Sequence, residues 1–143
     1  MNIYVDNRQK RHPIDPEKIA KKAETLLNSL GSPDGELSIV IVDDEEMATL
    51  NRTYLDRSGP TNVIAFAMRE GLFADVNPNL LGDVVISVET AHQEARQAGI
   101  AKELRFDQLL VHGILHLFGF DHEKNPEQAE EMQAKEQELM NLL

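Results

Sequence analysis

The chain has 143 residues, a formal net charge of −11 and no cysteine. That length suggests one domain, residues 1–143, with a real core. The acid excess argues against a general nucleic-acid binder, which carries a basic footprint. The missing thiols exclude disulfides, thiolate nucleophiles and every cysteine-based zinc site, so a transition metal must be held by histidine and carboxylate.

Ile3-Tyr4-Val5 reads as a short strand. Asp15-Pro16 opens a helix, with Asp as N-cap and Pro at the first helical position. Ile19, Ala23, Leu26, Leu27 and Leu30 give it one apolar stripe, and Gly31 stops it. Leu37 to Val42 is a β-branched run, a candidate buried strand. Asp43 followed by Glu46 resembles a capping box, and Met47, Leu50 and Tyr54 form the core face of the helix it opens. Ser58-Gly59-Pro60 breaks the chain before a third strand, Val63 to Ala67. The strand–helix–strand order over 37–67 predicts a right-handed parallel crossover.

Arg69 to Gly82 has turn residues and little periodicity, and is long for a connection. A binding flap and a plain variable loop are both open readings. Val84 to Val88 reads as a fourth strand, antiparallel to the third. Residues 88–98 form a short helix packed through Ala91, Ala95 and Ala98, and Gly99 ends it. The next helix, about Lys102 to Phe118, is apolar on most sides in its second half, which predicts a place in the middle of the domain. Asn125-Pro126 caps the last helix, whose acidic outer face reads as solvated surface. The expected fold is a single α/β (α+β) domain: a mixed four-stranded sheet, surrounding helices and a metal-binding central helix.

Neither a signal peptide nor a membrane span is expected. Met1 to Arg8 lacks a basic-then-apolar leader pattern. The most apolar stretch, residues 109–120, is too short for a membrane span and contains two histidines. The expected location is the cytoplasm, without a membrane partner. Charge is uneven: residues 1–22 carry six Lys/Arg against three acids, and residues 123–143 carry six Glu against two Lys. A local basic groove for RNA and a pair of solvated helix faces both fit this pattern.

The chemistry concentrates in His112-Gly-Ile-Leu-His116-Leu-Phe-Gly-Phe-Asp-His122. On a helix, residues four apart share a face, their backbones ~6 Å apart along the axis, so His112 and His116 can grip one cation. Gly119 can take the left-handed conformation that stops the helix and turns His122 back toward the same ion. Three neutral imidazoles leave one zinc position open, as in a catalytic site. Such a zinc ion would carry a water whose pKa is lowered to ~7. Gly113 stands where H-E-x-x-H peptidases place their general-base Glu, which counts against a peptidase of that kind.

This string resembles the H-G-x-L-H-L-x-G-y-D-H signature of the YbeY family of bacterial metal-dependent endoribonucleases. Leu50-Asn51 and Tyr54, then Pro60-Thr61-Asn62-Val63-Ile64-Ala65-Phe66, and then Leu81-Gly82-Asp83-Val84-Val85-Ile86-Ser87 match further family motifs in order and spacing. The resemblance implies a zinc-dependent endonuclease for single-stranded RNA, acting on ribosomal RNA in small-subunit 3′-end maturation and ribosome quality control. It implies small-subunit ribosomal proteins and a ribosome-associated GTPase as partners. Its metal ligands fall on His112, His116 and His122; nickel or another divalent ion is the alternative to zinc. The family arginine that directly follows the Tyr is replaced by Leu55, and the nearest arginine is Arg57. Arg57 reads either as a phosphate-binding substitute or as a surface loop residue. Asp121 reads as a carboxylate orienting a ligand imidazole or as an ordinary turn residue. Asp83 is a further candidate if the fourth strand lines the cleft. His12 and His92 match no motif and read as surface or helix residues. Two rival functions are a metal hydrolase of peptides or small molecules, and a non-catalytic ribosome-assembly factor whose metal is structural.

Overall fold

Four strands form one sheet in the order β1-β2-β4-β3 in the computed structural model, which describes residues 2–68, 79–123 and 125–143. The strands are β1 (Ile3–Asn7), β2 (Glu36–Val42), β3 (Val63–Ala67) and β4 (Leu80–Ser87). Among the described residues there are five helices: α1 (Pro16–Ser29), α2 (Asp44–Leu55), α3 (Val88–Ala98), α4 (Lys102–Leu117) and α5 (Pro126–Met140). The expected α/β architecture is therefore present. Three of the expected caps form as well. Asp15, Asp43 and Asn125 accept from the backbone N–H of Lys18, Glu46 and Gln128 at 3.2, 2.9 and 2.8 Å. Residues 69–78, which hold most of the expected long connection, lie outside the described residues.

Strand direction corrects one expectation. β4 lies between β2 and β3, parallel to β2 (Ile39 opposite Val84) and antiparallel to β3 (Ala65 opposite Val84). β3 therefore runs against β2, and 37–67 is not a parallel crossover. The apolar run that marks β3 as a strand reads the same in both directions, so it carries no polarity. β4 also begins earlier than expected and ends at Ser87. That hydroxyl accepts from Thr90 N and turns the chain into α3.

The main core lies on one sheet face. Leu37, Ile39 and Ile41 of β2 and Val84 and Ile86 of β4 meet Leu26 and Leu27 of α1, Ala91 of α3, and Leu110 and Ile114 of α4. Met132 and Leu139 of α5 close the layer. A smaller cluster on the opposite face joins Val42, Ile64 and Val85 to Met47 of α2, with Leu50 packed against it. Tyr54, expected on the same core face, is instead 65% exposed and meets the edge of this cluster at Phe66.

Gly113 sets how closely α4 approaches the sheet. A methyl group at this position would lie 2.6 Å from Val84 Cγ1 and 3.2 Å from Val63 Cγ2. A Glu would have no room there, so the missing peptidase carboxylate has a packing cause. Part of the N-terminal basic excess is used inside the fold. The Lys22 ammonium donates to Asp107 at 2.8 Å and to Glu103 at 2.7 Å, binding α1 to α4. Together Lys18 and Lys22 hold the Glu103 carboxyl down at about 2.

Gly113→Ala should destabilise the fold. Overpacking costs typically about 1–3 kcal/mol, against a helix-propensity gain of about 1 kcal/mol for losing a glycine. Urea unfolding of both proteins measures the difference. A variant as stable as the wild type, with unchanged metal affinity, would show that the close contact does not constrain the site.

Candidate metal centre

The three histidines converge. His112 and His116 lie one turn apart on α4, half-buried, with Nε2 atoms 3.1 Å apart. His122 is more open, its side chain 45% exposed. One ring nitrogen from each of the three lies within 4.8 Å of the others. Three such nitrogens are the donor set of a single tetrahedral ion with one open position.

Local backbone chemistry brings His122 into place. α4 ends in a Schellman arrangement: Phe120 N–H donates to Leu115 O at 3.1 Å and Gly119 N–H to His116 O at 3.0 Å. Gly119 has a φ of 91°, a region that only glycine enters cheaply. Asp121 then accepts from Glu123 N–H at 2.8 Å through Oδ1, closing a small turn around His122. Asp121 thus makes the turn contact expected of one reading while also lining the cleft beside His116.

The electrostatics favour neutral imidazole at the floor. Burial pushes the His116 pKa below its ordinary value, and His112 and His122 push the same way; Asp121 and Glu123 oppose them. At neutral pH the His116 ring is therefore a lone-pair donor. His112 is oriented from the other side: its Nδ1 lies 3.0 Å from Glu136 Oε2 on α5. With the proton on Nδ1, Nε2 presents its lone pair to the centre.

Glu136 was not singled out by the sequence reading, which treated the acidic face of α5 as solvated. Its position four residues after Met132 and four before Met140 puts it on the packed side of the helix, and that spacing was the available signal. Asp83 does not reach the centre. It lies opposite Phe66, which packs with the small cluster on the α2 face, while its neighbour Val84 faces Gly113. His12 and His92 are far apart in sequence but touch, with Nδ1 atoms 3.2 Å apart, and belong to a different surface.

The triad forms the floor of an open cleft of about 520 Å³. Arg57 and Leu55 also line it, with Thr61 and Asn62 just before β3. The Arg57 segment is tied back to α2. Asp56 takes a left-handed conformation, Arg57 N–H donates to Asn51 O at 3.3 Å, and Asn51 Nδ2 donates to Gly59 O at 2.9 Å. The structure thus places Arg57 on the same cleft as the triad, though two residues after the position the resemblance assigns to arginine.

A mixed sheet with three imidazoles converging beneath an arginine-lined cleft defines an α/β domain equipped to hold one divalent ion. Comparison with known proteins narrows this class. The family model described as Endoribonuclease YbeY matches residues 4–143. The Endoribonuclease YbeY of Geobacter sulfurreducens is 53% identical over all of this chain and 96% of its own length. That of Syntrophotalea carbinolica is 49% identical over 96% of this chain and 92% of its own. That of Aquifex aeolicus is 40% identical over 94% and 87%. The solution structure of TM1509 from Thermotoga maritima shares the fold, with a TM-score of 0.70 and 22% identity over 96% of this chain and 86% of that one. The chain belongs to the endoribonuclease YbeY family, and with that to the metal-dependent nucleases among hydrolases. No helix among the described residues is long and apolar enough to cross a membrane.

Two outcomes follow. Glu136→Gln should weaken divalent-ion affinity by about 10- to 100-fold, the usual effect of losing a carboxylate behind a ligand imidazole. Competition against a chromophoric chelator reads this directly, and unchanged affinity would remove Glu136 from the site. Lowering pH protonates imidazole and should release the ion below roughly 6.5. The depressed His116 keeps its own nitrogen available somewhat further down. In the metal-free protein the same depression stabilises the fold above the ordinary histidine range, and that stability is lost as pH falls from there toward the lowered value. Full metal retention at pH 4 would contradict a three-imidazole centre.

Proposed function

We propose that this chain is a zinc-dependent, single-strand-specific endoribonuclease of ribosomal RNA. Its work is the 3′-end maturation of small-subunit RNA and ribosome quality control in the cytoplasm. Small-subunit ribosomal proteins and a ribosome-associated GTPase are its proposed partners. The observation that carries the reading is the convergence of His112, His116 and His122 within 4.8 Å beneath a cleft that Arg57 also lines. The relatives that match along the whole chain carry the name endoribonuclease, which supports an RNA substrate.

His112, His116 and His122 would hold the ion; their donor set suits zinc, and nickel or another divalent ion fits the same nitrogens. When bound, zinc supplies Lewis acidity and a water acidified to ~7. The rest of the work falls to side chains. Glu136 keeps the His112 proton on Nδ1 and its lone pair toward the centre. The Asp121 turn orients His122, and the Asp121 charge faces His116. Arg57 takes the phosphate oxygens flanking the cut, because a planar guanidinium matches two of them at once. The bond between Asn51 and Gly59 holds that loop in register. Gly113 leaves no general base beside His112, which favours this reading over an H-E-x-x-H peptidase.

The test is cleavage of a labelled single-stranded ribosomal RNA fragment by purified protein, with and without chelator and added zinc. Wild type should cut only when metal-loaded. His116→Ala should lose on the order of 100-fold or more, and Arg57→Ala about 10- to 100-fold, the worth of one charge-assisted phosphate contact. Folded, zinc-loaded wild type that does not cut would favour an assembly factor. A His116→Ala variant that unfolds would mark the metal as structural.

A further inference from the structure

Beyond the cleft, His112 also borders a second cavity. Its Nε2 side faces the triad; its Nδ1 side, held by Glu136, faces a pocket of about 300 Å³ between α4, α5 and the start of β3. Asn62 and Val63 line both cavities, so the two are neighbours across one wall.

The second pocket has an unusual donor set. Four carboxamides line it: Asn62, Gln108, Gln133 and Gln137. Val63, Leu109 and Met140 supply apolar surface. Arg105 is its one cation among the lining residues, and that charge is already spent. The guanidinium contacts Glu94 Oε1 at 3.0 Å and donates to Gln108 Oε1 at 2.9 Å. Glu136 adds a negative charge to the lining. A phosphate would therefore be poorly received here. A neutral planar group with hydrogen-bonding edges and an apolar face suits the pocket.

Two of the amides are set in complementary senses. Gln108 uses its carbonyl on Arg105, which leaves its NH₂ to donate. Gln137 gives its NH₂ to Asn141 Oδ1 at 3.2 Å, which leaves its carbonyl to accept. One free donor and one free acceptor lining the same pocket can complement a nucleobase edge. The volume lies at the lower end of small-ligand pockets, the scale of one nucleoside and not of a folded segment.

We infer that this pocket is a base-recognition subsite: it seats the unstacked nucleobase adjoining the phosphate held over the triad, and Gln108 and Gln137 read its edge. The location beside the cut rests on the proposed RNA cleavage; the pocket's affinity for a base does not. Single-stranded RNA is recognised in this way, through splayed bases read on their edges.

The experiment has two arms, using zinc-loaded wild type, Gln108→Leu and Gln137→Leu. In the first, each protein cuts a random-sequence single-stranded RNA, and the new ends are sequenced. In the second, the four ribonucleosides are titrated separately while the glutamine side-chain amide resonances are followed by NMR. The wild type should prefer one or two bases at a single position beside the cut by about 10-fold, within the range of one bidentate amide–base contact. The same nucleosides should shift the amide resonances. Both variants should lose most of the preference at unchanged zinc content. Cleavage with no base preference, and no amide response to any nucleoside, would overturn the subsite and leave the nuclease assignment standing. Amide shifts by selected nucleosides with no cleavage would support the pocket and overturn the nuclease reading of the triad.

Discussion

The close seating of α4 on β3 and β4 is the constraint from which the rest of the site follows. At Gly113 the helix backbone lies against Val84 and Val63, with no room for a side chain. This puts His112 and His116, on either side of that glycine, at the rim of the core and not within it. Their rings emerge half-buried and open enough to meet a ligand, and burial lowers the proton affinity of His116. Gly119 then ends the helix before it can carry His122 away.

The centre draws on four separate parts of the chain. α4 gives two imidazoles, the turn after Gly119 gives the third, and α5 gives the carboxylate that orients the first. The loop after α2 adds an arginine to the cleft lining. The net charge of −11 does not describe the cleft itself, where Arg57 and the three imidazoles stand with Asp121 and Glu123. The N-terminal lysines contribute less to binding than their number suggests, since Lys18 and Lys22 are taken up by Glu103 and Asp107.

Local signals were the legible part of this fold. The Asp15, Asp43 and Asn125 caps, the His112–His116 spacing and the stop at Gly119 all depend on residues within a few positions of each other. What escaped reading was relational. The direction of β3 depends on β4 taking the place beside β2, and no alternation of side chains encodes that. The bond between Glu136 and His112 spans 24 positions. Asp83 is assigned to its face only by its partner across the ladder, Phe66. In the sequence Gly113 is the absence of a general base; only the fold adds that the same position records how near β3 and β4 come.

The bond from Glu136 to His112 ties the last helix to the centre. Thermodynamic reciprocity then applies. If docking of α5 raises the affinity for an ion, the ion must tighten the docking of α5 by the same factor. Few of the outward residues of α5 are apolar, and its grip on the domain rests largely on Met132 and Leu139. Anything that engages the outer surface of this helix is thereby connected to the centre some distance beneath it. By the same coupling, a macromolecule that braced α5 would raise the affinity for the ion and one that lifted it away would lower it, without either touching the cleft.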